Sequence, residues 1–116
     1  MIAHVTINTK DLEGSIGFYQ KYIGLEIVED LRTYGMPIVF MASDGKDETK
    51  LELIQSDRPF QGSGICIGFQ VADFDERLRF FRKEGLEVSD FVTPNPNIRF
   101  FFVTDPNGLK VQMITA

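Results

Sequence analysis

The sequence predicts an α+β fold assembled from two βαβββ repeats, and three observations carry that prediction. The second half of the chain restates the first in order. Each half holds one helical stripe followed by three extended stretches, and the apolar residues of those stretches alternate with polar ones.

The repeat is read by placing His4-Val5-Thr6-Ile7 over Cys66-Ile67-Gly68-Phe69, an offset of 62 positions. Asp11 then falls on Asp73, Ile16 on Leu78, Phe18 on Phe80, Tyr19 on Phe81 and Lys21 on Lys83. After a slip of one residue, Gly24-Leu25-Glu26-Ile27 meets Gly85-Leu86-Glu87-Val88. Lys50-Leu51-Glu52-Leu53-Ile54 lines up with Lys110-Val111-Gln112-Met113-Ile114. An ordered series of this length is not coincidence.

The first repeat opens on a strand over Ile2 to Asn8, with Ala3, Val5 and Ile7 on one face and His4 and Thr6 on the other. Asp11 suits an N-cap; Leu12, Ile16, Tyr19 and Ile23 recur at helical spacing before Gly24 stops the helix. Strands are then expected over Leu25 to Leu31, Pro37 to Ala42 and Lys50 to Gln55, with a turn at Asp44-Gly45. The second repeat gives a strand over Ile65 to Val71, a cap at Asp73 and a stripe of Phe74, Leu78 and Phe81 closed by Gly85. Its later strands are expected over Leu86 to Val92, Ile98 to Thr104 and Leu109 to Thr115. Asn107-Gly108 marks a tight hairpin, and Pro94 to Asn97 reads as a turn. The whole is one domain: repeat one over 1–55, a linker over 56–63 and repeat two over 64–116. A ferredoxin-like sandwich needs fewer strands than the three that follow each helix here.

Composition narrows the function classes. The chain has 116 residues, 12 basic against 17 acidic, for a formal charge of −5, with 43% apolar residues. That describes a globular domain with a core of its own. The acidic balance argues against nucleic acid or an anionic membrane as partner. No apolar run reaches the roughly 20 residues of a bilayer span. Met1-Ile2-Ala3-His4-Val5 lacks the pattern of a secretory leader, and the single Cys66 has no internal disulfide partner, so a cytoplasmic location is expected.

Strand parity selects the candidate site. With Ala3, Val5, Ile7, Leu51 and Leu53 packed under a helix, the opposite face carries His4, Thr6, Lys50 and Glu52. In the second repeat that face carries Cys66, Gly68, Lys110 and Gln112. His4 and Cys66 are paired by the repeat, as are Glu52 and Gln112. Sheets curled into half-barrels would line one shared concavity with them.

Here the chain resembles the vicinal oxygen chelate superfamily, which includes glyoxalase I, the bleomycin- and fosfomycin-resistance proteins and the extradiol dioxygenases. The resemblance rests on His4-Val5, Phe18-Tyr19 before Gly24-Leu25, Leu51-Glu52-Leu53 and Asp105-Pro106-Asn107-Gly108, and it spans almost the whole chain. It implies half-barrel sheets around a concave ligand site, and metal ligands from the first and last strands of each repeat. His4 and Glu52 match such positions; Cys66 stands where a second His is typical, and Gln112 where a final Glu is typical. The implied metal set is His4, Glu52 and Cys66 around Zn²⁺ or Ni²⁺, with Glu52 as catalytic base and Gln112 as a hydrogen-bonding ligand contact. Glyoxalase-type chemistry needs both a metal and a proton-moving carboxylate, and an amide at 112 cannot take the proton. The metal site is therefore altered or lost.

Each candidate has a structural role to set beside the functional one. His4 can be a hydrogen-bonded strand residue and Cys66 a small hydrophobe. For Glu52 the solvated, ligand and base readings are all open. Arg99 and Phe101 share a strand face that lines the cavity or packs in the core, and both are carried as ligand-binding candidates with Thr6. Lys50 and Lys110 attract an anion or solvate strand ends, and Arg32 to Met36 suits a lip over the pocket. Three functions follow: a metal-dependent lyase or isomerase, a metal-free protein that binds an aromatic or cationic small molecule or drug, and a regulatory scaffold. A homodimer is the assembly the resemblance implies.

Overall fold

The computed structural model describes residues 1–43 and 47–115. They form two compact units, Met1–Gln61 and Gly62–Ala116. The first contains β1 (His4–Thr9), α1 (Leu12–Phe18), β2 (Glu26–Asp30), β3 (Ile38–Ala42) and β4 (Lys50–Gln55). The second contains β5 (Cys66–Val71), α2 (Phe74–Lys83), β6 (Val92–Asn95), β7 (Ile98–Thr104) and β8 (Lys110–Thr115). The sheet orders are β1-β4-β3-β2 and β5-β8-β7-β6, each with its first and last strands parallel and the other pairs antiparallel. The expected α+β fold of two βαβββ units is the one found.

Local chemistry explains the helices. The Asp11 carboxylate accepts from the Gly14 amide at 2.9 Å, satisfying one of the donors a helix start leaves open. Ser15, fully buried, shares a 2.9 Å hydrogen bond with Thr9 on β1, which ties α1 to the strand before it. After Phe18 the helix widens into a π turn over Tyr19–Ile23, and Gly24 closes it at φ 89°. α2 makes no such widening before its own Gly85. The π turn holds the one extra residue of the first repeat, so the slip in the sequence alignment is a π insertion rather than a loop.

The helix-side face of each sheet is the core. Tyr19, Val39, Met41 and Leu53 are fully enclosed in the first unit, and Phe81, Phe101, Val111 and Met113 in the second. The alternation of β4 and β8 predicts this directly. Ala3 and Val5, expected to pack under a helix, are instead exposed, as is Ile65 just before β5. β1 and β5 are edge strands, whereas α1 and α2 pack over β4 and β8.

Two other expectations are corrected. The strand over Leu86 to Val92 shrinks to one bridge, Val88 with Val103, and β6 lies farther on at Val92–Asn95. Pro94, read as part of a turn, sits within that strand; an edge position tolerates its missing donor. The Asp44-Gly45 turn lies outside the described residues. At its counterpart the Asp105 side chain is nearly buried and accepts from the Asn107 and Leu109 amides at 2.8 and 2.9 Å. Asp105 thus supplies the acceptors that the tight turn into β8 requires.

Candidate functional site

The open face of the first sheet brings His4, Thr6 and Glu52 together. Thr6 pairs with Glu52 across the parallel ladder, and its hydroxyl donates to Glu52 Oε1 at 2.5 Å. His4 Nε2 lies 3.5 Å from the same oxygen. Glu52 is mostly covered, with 13% of its side chain accessible, while His4 retains 44%. On the other side of Glu52, the register of β3 places Phe40 opposite it, and the His4 ring meets Phe40 edge-on with centroids 5.5 Å apart.

Phe40 was not among the residues the sequence singled out. Its counterpart in the second unit is Phe102, which pairs with Gln112 as Phe40 pairs with Glu52. The residues just before them, Val39 and Phe101, are both fully buried. The repeat offset shrinks from 62 to 60 positions between the first and last strands, so the aligned sequence alone does not match the two rings.

A cavity of about 600 Å³ adjoins this cluster, lined by Ala3, His4, Val28, Glu29, Phe40 and Lys50 together with Met1. Glu29 reaches that wall through a β-bulge. Ile27 pairs with Met41 and Glu29 with Phe40, so Val28 is left without a partner and the strand changes parity there. Without the extra residue Glu29 would oppose the buried Val39. No Gly or Pro in Glu26–Asp30 announces the bulge. The Lys50 ammonium donates to the Glu48 carbonyl at 2.8 Å.

In the second unit, Gly68 replaces Thr6 and Gln112 replaces Glu52. A Cβ on Gly68 would lie 2.8 Å from the Gln112 side-chain oxygen, so the amide rests in the space that glycine leaves. Lys110 lies over the Phe102 ring, 4.1 Å from its centroid, and Phe100 meets Phe102 edge-on. Cys66 is exposed and carries a free thiol.

Arg99 and Phe101 take the opposite side of β7 and are removed from the ligand-binding set. Phe101 has no accessible surface and packs between Phe74 and Phe81 of α2, with centroids 5.3 and 5.7 Å away. Arg99 donates to both carboxylate oxygens of Asp75 on α2 and lies 4.5 Å above the Phe74 ring. The guanidinium beside it holds the Asp75 carboxyl below its ordinary range. Arg32 to Met36, expected as a lip, begins in a short 3₁₀ helix over Leu31–Tyr34, and none of its residues lines the cavity. Arg32 instead pairs with Asp30 and with Glu13 of α1.

The donor chemistry of the site bears on a resident metal. His4 and Glu52 of the first unit offer one nitrogen and one carboxylate, two donors where a resident Zn²⁺ takes at least three from protein. Among the described residues no group of three or more His, Cys, Asp and Glu comes together. This set does not fit a resident divalent metal. It does place a partly covered carboxylate beside an imidazole and across from an aromatic ring, and those two rings, His4 and Phe40, line the cavity.

Comparison with known proteins agrees with this architecture. A family model described as the Glyoxalase/Bleomycin resistance protein/Dioxygenase superfamily matches residues 1–113. The uncharacterised protein YwbC of Bacillus subtilis is 27% identical, over 96% of this chain and 94% of its own. The trypanothione-dependent glyoxalase I of Leishmania major superposes with a TM-score of 0.78 at 22% identity, covering 99% of this chain and 86% of that one. The antibiotic-binding protein TnmS3 of Streptomyces sp. CB03234 superposes at 0.75 and 20% identity, covering 97% and 93%.

Proposed function

We propose that this chain, which belongs to the Glyoxalase/Bleomycin resistance protein/Dioxygenase superfamily, binds a small organic molecule on the open face of its first unit. The observation that carries this reading is the cavity of about 600 Å³ with His4 and Phe40 on its wall. That volume lies in the range of small-molecule sites, and one aromatic ring with a few polar groups is their usual lining. The fold shared with an antibiotic-binding protein supports the same class of ligand. Glu52, held by Thr6 and next to His4, is the group able to take a proton from a bound molecule.

A neutral aromatic probe tests the site. Titration with benzyl alcohol is expected to shift the backbone amide resonances of His4, Thr6, Phe40 and Glu52 saturably. Shifts confined to other residues would refute the placement.

Metal-assisted lyase or isomerase chemistry is the second reading, favoured by the approach of His4 Nε2 to Glu52 Oε1. Zn²⁺ or Ni²⁺ would take those two side chains and needs a further donor, for which Cys66 is the candidate. The assembly we propose is a homodimer in the cytoplasm. Exposed Val5 and Ile65 at the edges of the two sheets supply apolar surface for a partner, and a free thiol at Cys66 suits a reducing compartment. Light scattering should return twice the chain mass; the monomer mass would refute the dimer. No helix among the described residues is long and apolar enough to cross a membrane.

A further inference from the structure

The bulge in β2 places a carboxylate on the cavity wall, and that carboxylate has no partner among the described residues. Glu29 pairs with Phe40 across the ladder and lines the cavity beside it. Its neighbour Asp30 is occupied by Arg32, which donates to both of its oxygens at 2.8–2.9 Å. Glu29 makes no hydrogen bond or ion pair with any described residue. An ionised carboxylate next to an aromatic ring is the arrangement that recognises an organic cation. The carboxylate takes a charge-assisted hydrogen bond, and the ring attracts positive charge across its face. Lys50, the basic side chain on the same wall, lies across β3 from Glu29 and is directed by its bond to the Glu48 carbonyl.

We infer that Glu29 determines the specificity of this cavity by receiving the positively charged nitrogen of the ligand, an organic ammonium whose apolar body rests against Phe40. The inference rests on the small-molecule reading above and goes beyond it by naming the ligand's charge and the residue that reads it. The bulge at Val28 is the structural device, because it turns Glu29 toward Phe40 and away from the core.

Three probes of nearly equal size test this at pH 7: benzylammonium, neutral benzyl alcohol and anionic benzoate, each titrated while the Glu29, Phe40 and His4 amides are followed. Benzylammonium should bind about tenfold tighter than benzyl alcohol, the scale of one charge-assisted hydrogen bond, with benzoate weakest. Glu29→Gln should abolish the preference, read as the ratio of benzylammonium to benzyl alcohol affinity in the same variant, while Glu29→Asp should keep most of it. Equal affinity for the cation and the alcohol, or a preference that survives Glu29→Gln, would overturn the inference and leave the cavity as a neutral site. If none of the three probes shifts these amides, both the inference and the small-molecule reading fall.

Discussion

Phe101→Ala should destabilise the protein by about 3–5 kcal/mol in denaturant titration, whereas Phe102→Ala should cost about 1 kcal/mol or less. The two rings are adjacent in sequence and differ only in the face they take. Phe101 has no accessible surface and is enclosed by Phe74 and Phe81, so its removal leaves a cavity that the helix cannot fill. Phe102 is half-exposed and touches Phe100 and the Lys110 ammonium, contacts that solvent can replace. A domain of this size has a total stability of roughly 5–15 kcal/mol, so the Phe101 variant loses a large part of it. Equal costs for the two variants would mean that the parity of β7 is wrong, and with it the assignment of an open face.

Reconstitution with Zn²⁺ or Ni²⁺ followed by desalting should leave less than about 0.1 equivalent of bound metal, far below the stoichiometric binding of a three- or four-donor protein site. The reason lies in the donors. His4 and Glu52 approach each other in the first unit, and no third His, Cys, Asp or Glu gathers with them among the described residues. Stoichiometric metal, lost on His4→Ala or Glu52→Gln, would establish the lyase or isomerase reading instead. Cys66→Ser would then report whether the thiol completes the set, since a hydroxyl is a much poorer ligand to Zn²⁺ than a thiolate.

The fold was legible because two signals reinforced each other. The repeat fixed the number of elements, and strand alternation fixed which residues of β4 and β8 go inside, while the two faces of β7, apolar on both sides at Phe100, Phe101 and Phe102, stayed open. The π turn after α1 was visible only as a slipped residue, because a single insertion has no composition of its own. Pro94 misled: it marks a turn in isolation and an edge strand once β6 has a neighbour on one side only. The open-face set of His4, Thr6 and Glu52 followed from parity, and the cross-strand register added the contact between Thr6 and Glu52. Phe40 was hidden because the repeat offset shrinks from 62 to 60 positions between the first and last strands, which leaves its counterpart undefined. Glu29 was hidden as well, because a bulge reverses strand parity without any glycine or proline to mark it. Arg99 was misplaced for a different reason: alternation along the Phe100-Phe101-Phe102 run does not say which face is core, and Asp75 and the Phe74 ring give Arg99 a place against α2.

Electron density from crystals soaked with a mixture of small aromatic fragments tests the central claim most directly. The account predicts an ordered fragment against the Phe40 ring, with a polar atom in hydrogen-bond reach of His4, Glu29 or Glu52. Ordered fragments bound only elsewhere on the molecule, with that face of the first sheet left to solvent, would contradict it.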